Sequence, residues 1–373
     1  MKEIGSEFWI EKDSITKNDI SIIISSVLDG ILNIGHDQLL LFSGRTAIDY
    51  VLEDISKPIR AVYMPSYCCE SMLQPFIDRN IKIHFYSVIP DDSGIKYIID
   101  YKKDFDIFFA TSYFGYSSSA MDPVIDILKE RDVIIIEDIT HRLLSEPNHC
   151  IKSDYLIASL RKWFPLPSGG LAVKMNEHFI MKDNLTSPPA KLINKKINAM
   201  KQKAEYMAYE SYEDEFAQEL KKSFLAAFSE FNSGIKQSYK NFSIDSVSQN
   251  LLAEINVVDV KKKRCENAQY LHRRLRESKY IKFLFKEVDF EKDCPLFVPI
   301  MVESSVRESL RNYLISNNIF CPVHWPIPRG HHLTTEIAKL YKQELSLICD
   351  QRYDLKDMKR ITDVVEEFVK NYD

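Results

Sequence analysis

Between positions 38 and 173 the chain places short apolar runs at nearly regular intervals, at 38–42, 61–64, 82–88, 106–110, 133–136, 155–158 and 170–173. Most do not alternate apolar with polar residues, as a strand with one wet face would; apolar runs of this length indicate strands covered on both faces. Stretches with apolar residues three and four apart lie between several of them, at 46–55, 70–80 and 121–130, and predict crossover helices. The alternation predicts an α/β fold whose large domain holds a mainly parallel seven-stranded sheet.

After Lys174 the pattern lengthens. The stretch 191–231 carries apolar residues at helical spacing with acids and bases between them, and reads as an amphipathic arm packed on the core or on a partner subunit. A helix over 251–278 leads into a second alternation, with strands at 282–285, 296–301 and 319–323 and helices over 306–316 and 355–372. The expected division is a large domain over 1–245, including the arm at 191–231, and a smaller C-terminal α+β domain over 246–373.

Composition narrows the function classes. At 373 residues, 45% hydrophobic and 28% charged, the chain can bury the core of a moderate-sized enzyme. A net charge of −5 gives no general attraction to nucleic acid. No stretch approaches the roughly twenty apolar residues of a membrane span, and the opening MKEIGSEFWIEKDS lacks the apolar centre of a signal peptide. The expected compartment is therefore cytoplasmic, with no membrane partner. The seven cysteines form no CxxC pair or Cys/His cluster with ligand spacing, Cys68 and Cys69 point to opposite faces of an extended chain, and His331 and His332 lack a third ligand, so no metal site is expected.

Ligands of such sheets bind at the carboxyl ends of the strands, and four segments of interest fall there. In FSGRTAI, Ser43 and Gly44 end a strand while Arg45 and Thr46 start a helix, offering backbone N–H groups to an anion; the same composition also makes ordinary helix caps. In MPSYCCE, Tyr67 could cover a flat ring or be a buried tyrosine whose hydroxyl finds a protein partner. In IIIEDITH, Asp138 closes an apolar run and His141 lies three residues further on; with Glu137 they could equally form a solvated turn. In SLRKWFPLPSGG, Ser159 and Lys162 end another run, and the loop from Pro165 to Gly170 would stiffen the segment after Lys162, favouring a fixed, semi-buried lysine. Singly, Asp138 and Lys162 are ordinary residues. Together, an acid, a hydroxyl and an amine are what pyridoxal 5'-phosphate requires: a partner for its pyridinium nitrogen, a phosphate ligand and a Schiff-base lysine.

The order SGRTAI, MPSY, YFGYSSSAMDPVIDILKERDVIIIEDITH, SLRKWFPLPSGG, YKNFSIDSVSQNLLAEINVVDVKKKRCENAQYL, VHWPIP and ELSL resembles the DegT/DnrJ-type sugar aminotransferases, a branch of the fold type I pyridoxal phosphate enzymes, along nearly the whole chain. It is also similar to a divergent group of these proteins found among enzymes of bacterial polysaccharide synthesis. The resemblance implies that Lys162 holds the cofactor, that Asp138 pairs with its pyridine nitrogen and that His141 lies near its ring hydroxyl. Gly44, Arg45 and Ser159 would contact the phosphate, with Ser43 and Thr46 at the same turn. Asn241 matches an asparagine that reaches the phosphate of the neighbouring subunit, which implies a homodimer with shared active sites. His324, with Trp325 beside it, matches a histidine near the substrate entrance. The implied reaction moves an amino group from an amino acid donor, glutamate by resemblance, to a keto sugar, nucleotide-linked, in polysaccharide biosynthesis. The chain departs from the pattern at Cys69, where members carry an aromatic residue, at Ser243, where they carry an arginine, and in its short serine-to-lysine interval. Those departures keep two alternatives open: a decarboxylase or dehydratase of the same fold acting on a small amino compound, and a non-catalytic member serving as a binding subunit.

Overall fold

The structure, a computed structural model, describes residues 2–11, 34–180, 184–209, 212, 214–329, 331 and 333–372. Its strands are β1 (Ile4–Gly5), β2 (Asp37–Leu41), β3 (Ala61–Pro65), β4 (Lys82–Asp91), β5 (Gly94–Ile98), β6 (Ile107–Thr111), β7 (Ile134–Asp138), β8 (Tyr155–Ser159), β9 (Gly170–Lys174), β10 (Ile281–Phe283), β11 (Val298–Val302), β12 (Ile319–Phe320) and β13 (Glu344–Leu347). Its α-helices are α1 (Gly44–Asp54), α2 (Glu70–Ile77), α3 (Asp122–Leu128), α4 (Ala190–Met207), α5 (Glu215–Gln237), α6 (Ser246–Ala253), α7 (Val257–Arg274), α8 (Arg307–Ser316), α9 (Thr335–Gln343) and α10 (Leu355–Tyr372). The fold is α/β with a large, mainly parallel sheet, as the apolar runs predict. By contacts the chain forms two compact units, one of Met1–Glu3, Glu7–Lys57 and Tyr155–Asn256, the other of Ile4–Ser6, Pro58–Asp154 and Val257–Asp373.

In the first unit β9 lies between β2 and β8 and runs against both. Helix α1 starts at Gly44 because Ser43 is extended, with φ −158°, and its hydroxyl accepts the Thr46 N–H at 3.1 Å, a standard N-cap. The expected arm is two helices rather than one. The chain leaves α4 at Ala208, and Asp214 restarts it by accepting the N–H groups of Phe216 and Ala217. Phe42, Ile193, Ile197, Phe231, Ile235 and Tyr239 form a buried cluster that joins both helices to the end of β2.

In the second unit the strand order is β7, β6, β3, β4, β5, parallel except for β5. All seven expected strands of the large sheet form in their two units; β5 is an unanticipated addition, a hairpin return from β4 turning at Gly94 with φ +131°. Ile107, Phe108, Phe109, Ala110, Ile135 and Ile136 are fully buried, the two-sided cover that the unalternating runs predict. The smaller sheet, β10, β11, β13, is antiparallel, and the expected strand at 319–323 shrinks to β12, paired with β1. The expected helix over 251–278 is broken after Ala253 and resumes as α7 in this unit. No helix among the described residues is long and apolar enough to cross a membrane.

Candidate functional site

The turn between β2 and α1 in the first unit is built from close approaches of neighbouring segments. A Cβ added at Gly170 would stand 2.1 Å from the Ser43 carbonyl oxygen, so Gly170 cannot be enlarged without moving backbone, and one at Gly44 would stand 3.1 Å from the Ser159 Cβ, a tight contact. The structure thus brings Ser43, Gly44 and Ser159 together. The Thr46 hydroxyl donates to the Tyr239 carbonyl at 2.8 Å and lies 2.9 Å from the Ser43 hydroxyl. Those two hydroxyls shape the turn at the head of α1, and the Arg45 guanidinium lies 5.5 Å over the Tyr239 ring. Asn241 is held at φ +57° and its carbonyl accepts the Thr186 N–H at 2.9 Å.

The turn after β8, Leu160–Lys162, buries Leu160, Trp163 and Phe164. That choice directs Lys162 outward: it is exposed, not semi-buried as expected, while Arg161 is half-buried. The loop from Pro165 to Gly170 is pinned, as expected, by Leu160 N–H to Gly169 O at 3.1 Å and Gly169 N–H to Phe42 O at 2.9 Å. A buried network missed from sequence reinforces it. Ser168 Oγ donates to Asp245 Oδ2 at 2.5 Å, and the Ser168 N–H donates to Ser248 Oγ at 2.8 Å.

In the second unit Asp138 ends β7, 7% exposed, and its Oδ1 accepts the Thr140 N–H at 2.9 Å. Glu137 and His141 are buried too, which contradicts the solvated-turn alternative. Burial raises the Glu137 carboxyl to about 7 against the pull of Arg142, 3.4 Å away, and it accepts from Cys150 N–H and Ser153 Oγ. His141 Nδ1 accepts the Phe114 N–H at 3.1 Å, so the neutral ring carries its hydrogen on Nε2. Phe114 makes this contact from φ +61°, a conformation rare outside glycine. Neither Phe114 nor its part in orienting His141 was legible from YFGY.

The rings of His141, Tyr113, Phe114, His324 and Trp325 form one cluster, with His141 centroids 5.9 Å from His324 and 5.6 Å from Trp325. Tyr67 joins it 5.1 Å from Trp325. Its ring is fully buried, and its hydroxyl has no hydrogen-bond partner among the described residues; burial pushes its pKa well up. The alternative in which that hydroxyl finds a protein partner is thus not met. Thr111, register partner of Asp138 at the end of β6, likewise buries a hydroxyl with no partner among the described residues. Buried polar atoms left this way suit a polar ligand, and they lie where ligands of parallel sheets bind. His324 is not at an open entrance but buried: its N–H donates to Glu344 Oε2 at 2.6 Å, and its Nδ1 lies 2.9 Å from Ser346 Oγ. Burial raises the Glu344 carboxyl to about 8. Cys69 is half-buried at the N-cap of α2, with its sulfur 2.9 Å from Ser71 Oγ.

No family model matches the chain, and no curated protein matches it. Solved structures do. Helicobacter pylori PseC, described as an aminotransferase involved in the biosynthesis of pseudoaminic acid, is 16% identical with a TM-score of 0.63, over 98% of this chain and 99% of that one. A DegT/DnrJ/EryC1/StrS aminotransferase from Brucella abortus is 14% identical with a TM-score of 0.59, over 91% of this chain and 88% of that one. Bacillus subtilis NtdA, solved with bound cofactor PMP, is 13% identical with a TM-score of 0.59, over 92% and 77%. These likenesses show the fold: the chain folds as these aminotransferases do, along nearly its whole length.

Proposed function

We propose that the protein is a pyridoxal-phosphate-dependent aminotransferase that carries an amino group from an amino acid, glutamate by preference, to a keto sugar, nucleotide-linked, in polysaccharide biosynthesis. The observation that carries the reading is Asp138, a buried carboxylate closing a parallel strand in register with the orphaned hydroxyl of Thr111. When bound, the cofactor supplies an electron sink for charge developing at the carbon that loses its proton. Asp138 keeps a proton on the ring nitrogen by offering it an anionic partner. His141 offers its Nε2–H to the ring oxygen, its tautomer set by Phe114, and Tyr67 covers the ring. Ser43, Gly44, Arg45, Thr46 and Ser159 form the phosphate turn. Lys162 Nζ would hold the cofactor and would move the proton at the donor's α-carbon. Asn241 completes the phosphate site of a second copy in a cytoplasmic homodimer, and the half-buried Trp325, backed by the buried His324, lines the acceptor side.

Titration of the protein with pyridoxal phosphate tests this by absorbance. A lysine-bound cofactor band is expected in the wild type and lost in Lys162→Ala, and added glutamate should convert the wild-type band to that of the amine form. A wild type that stays spectrally silent at saturating cofactor contradicts the proposal, and a band indifferent to every amino donor contradicts transamination.

A further inference from the structure

Two lysines of α4, Lys196 and Lys203, are 3% and 1% exposed. Lys203 donates to the Glu7 carbonyl. Lys196 Nζ lies 2.9 Å from Glu7 Oε2 and packs 4.2 and 5.2 Å from the Phe228 and Phe231 ring centroids. The Arg161 guanidinium lies 5.6 Å over the same Phe231, and its buried Nε has no hydrogen-bond partner among the described residues. Partial burial alone would raise the Glu7 carboxyl, but Lys196, hydrogen-bonded to it, together with Arg161 and Lys162, holds it down at about 2. Burial, offset in part by Glu7, lowers Lys196, and Arg161 lowers it further. Cations therefore outnumber the single carboxylate among them, over a floor of aromatic carbon. The carboxylate itself is accessible: the Glu7 side chain is 43% exposed, while Lys196 behind it is 3% exposed.

We propose that Glu7 is an internal stand-in for the carboxylate of a ligand, and that Arg161 and Lys196, over Phe231, form the subsite that binds it. Resting on the aminotransferase reading, that ligand is the amino donor, whose carboxylate would be held one residue along the chain from Lys162. A carboxylate fits better than a phosphate because a carboxylate is what the site already seats. The planar Arg161 fork also matches two carboxylate oxygens, and the phenylalanines suit the alkyl chain of an acidic amino acid. Glu7 then competes with the donor and must swing out for it to bind.

Calorimetric titration of the full chain with glutarate, a dicarboxylate that can neither donate nor accept an amino group, tests the subsite. Glu7→Gln should bind glutarate on the order of tenfold more tightly than wild type, about 1.4 kcal/mol, and Glu7→Asp should fall between them. Arg161→Gln or Lys196→Met placed in the Glu7→Gln background should abolish the gain, with folding checked by circular dichroism. Unchanged glutarate affinity in a folded Glu7→Gln protein overturns the proposal and leaves Glu7 as a structural tether. Binding of inorganic phosphate in preference to glutarate overturns it as well. Glutarate binding requires no cofactor, so its failure leaves the Lys162 absorbance test untouched, and a failed absorbance test leaves the binding measurement interpretable.

Discussion

Glu344 is a carboxyl group that folding makes harder to ionise. Burial raises it to about 8, more than its hydrogen bonds from Ser346 and His324 can offset. A carboxyl ordinarily titrates near 4.3 in the unfolded chain, so between about pH 4.5 and 8 the folded state binds the extra proton. The stability it contributes is complete below that window and is lost as pH rises through it. Glu344→Gln, which keeps the shape and one acceptor, should flatten this part of the profile and gain on the order of 3 kcal/mol relative to wild type at pH 7, as read by urea denaturation at pH 5, 7 and 8. A difference between the two proteins that stays constant with pH would contradict the assignment. Gly115 makes a second residue-level case. It sits at φ +89° with a virtual Cβ 2.2 Å from the Cys294 carbonyl oxygen. Gly115→Ala should cost several kcal/mol and lower the melting temperature, since the obstacle is backbone and cannot rotate away.

At the scale of elements, the loop leading from Lys162 to β9 depends on Asp245, which both caps α6 through the Ser248 N–H and accepts the Ser168 and Ser248 hydroxyls. Asp245→Ala should therefore cost about 2–4 kcal/mol, cap and buried hydrogen bonds together, measured by chemical denaturation; a loss under about 0.5 kcal/mol would show the network idle. Elements were legible in proportion to how locally their signal is written. Most of the seven sheet strands are apolar runs, and α1 follows from Ser43 beside Gly44. The helices on either side of 208–214 share one amphipathic pattern, so periodicity gave no sign of a break that Asp214 makes by capping. Strand β13 was hidden because Glu344 and Ser346 are polar residues, buried while bonding each other and His324. The outward turn of Lys162 was equally hidden, because it depends on which neighbours, Leu160, Trp163 and Phe164, win the interior.

For the whole molecule, the candidate residues form two groups, each coherent within its own unit. Ser43, Gly44 and Ser159 meet at closely packed glycines, while Tyr67, His141, His324 and the half-buried Trp325 share one aromatic cluster. That Asp138 and Ser159 close strands could be read from sequence because each follows an apolar run. The tautomer of His141 and the orphaned hydroxyls of Tyr67 and Thr111 could not, because hydrogen-bond partnership is decided only in the folded chain. The proposed homodimer predicts a light-scattering mass twice the 43.5 kDa of the chain. It also predicts that Asn241→Asp, which places a negative charge at the partner's phosphate turn, weakens pyridoxal phosphate on the order of tenfold without changing that mass. A monomeric wild type would contradict shared active sites. Whether this chain holds pyridoxal phosphate through Lys162 is decided by borohydride reduction of the cofactor-loaded protein and peptide mass mapping of the product. The reduced cofactor should be found on the peptide carrying Lys162; its attachment to another lysine, or to none, would contradict that assignment and the aminotransferase reading built on it.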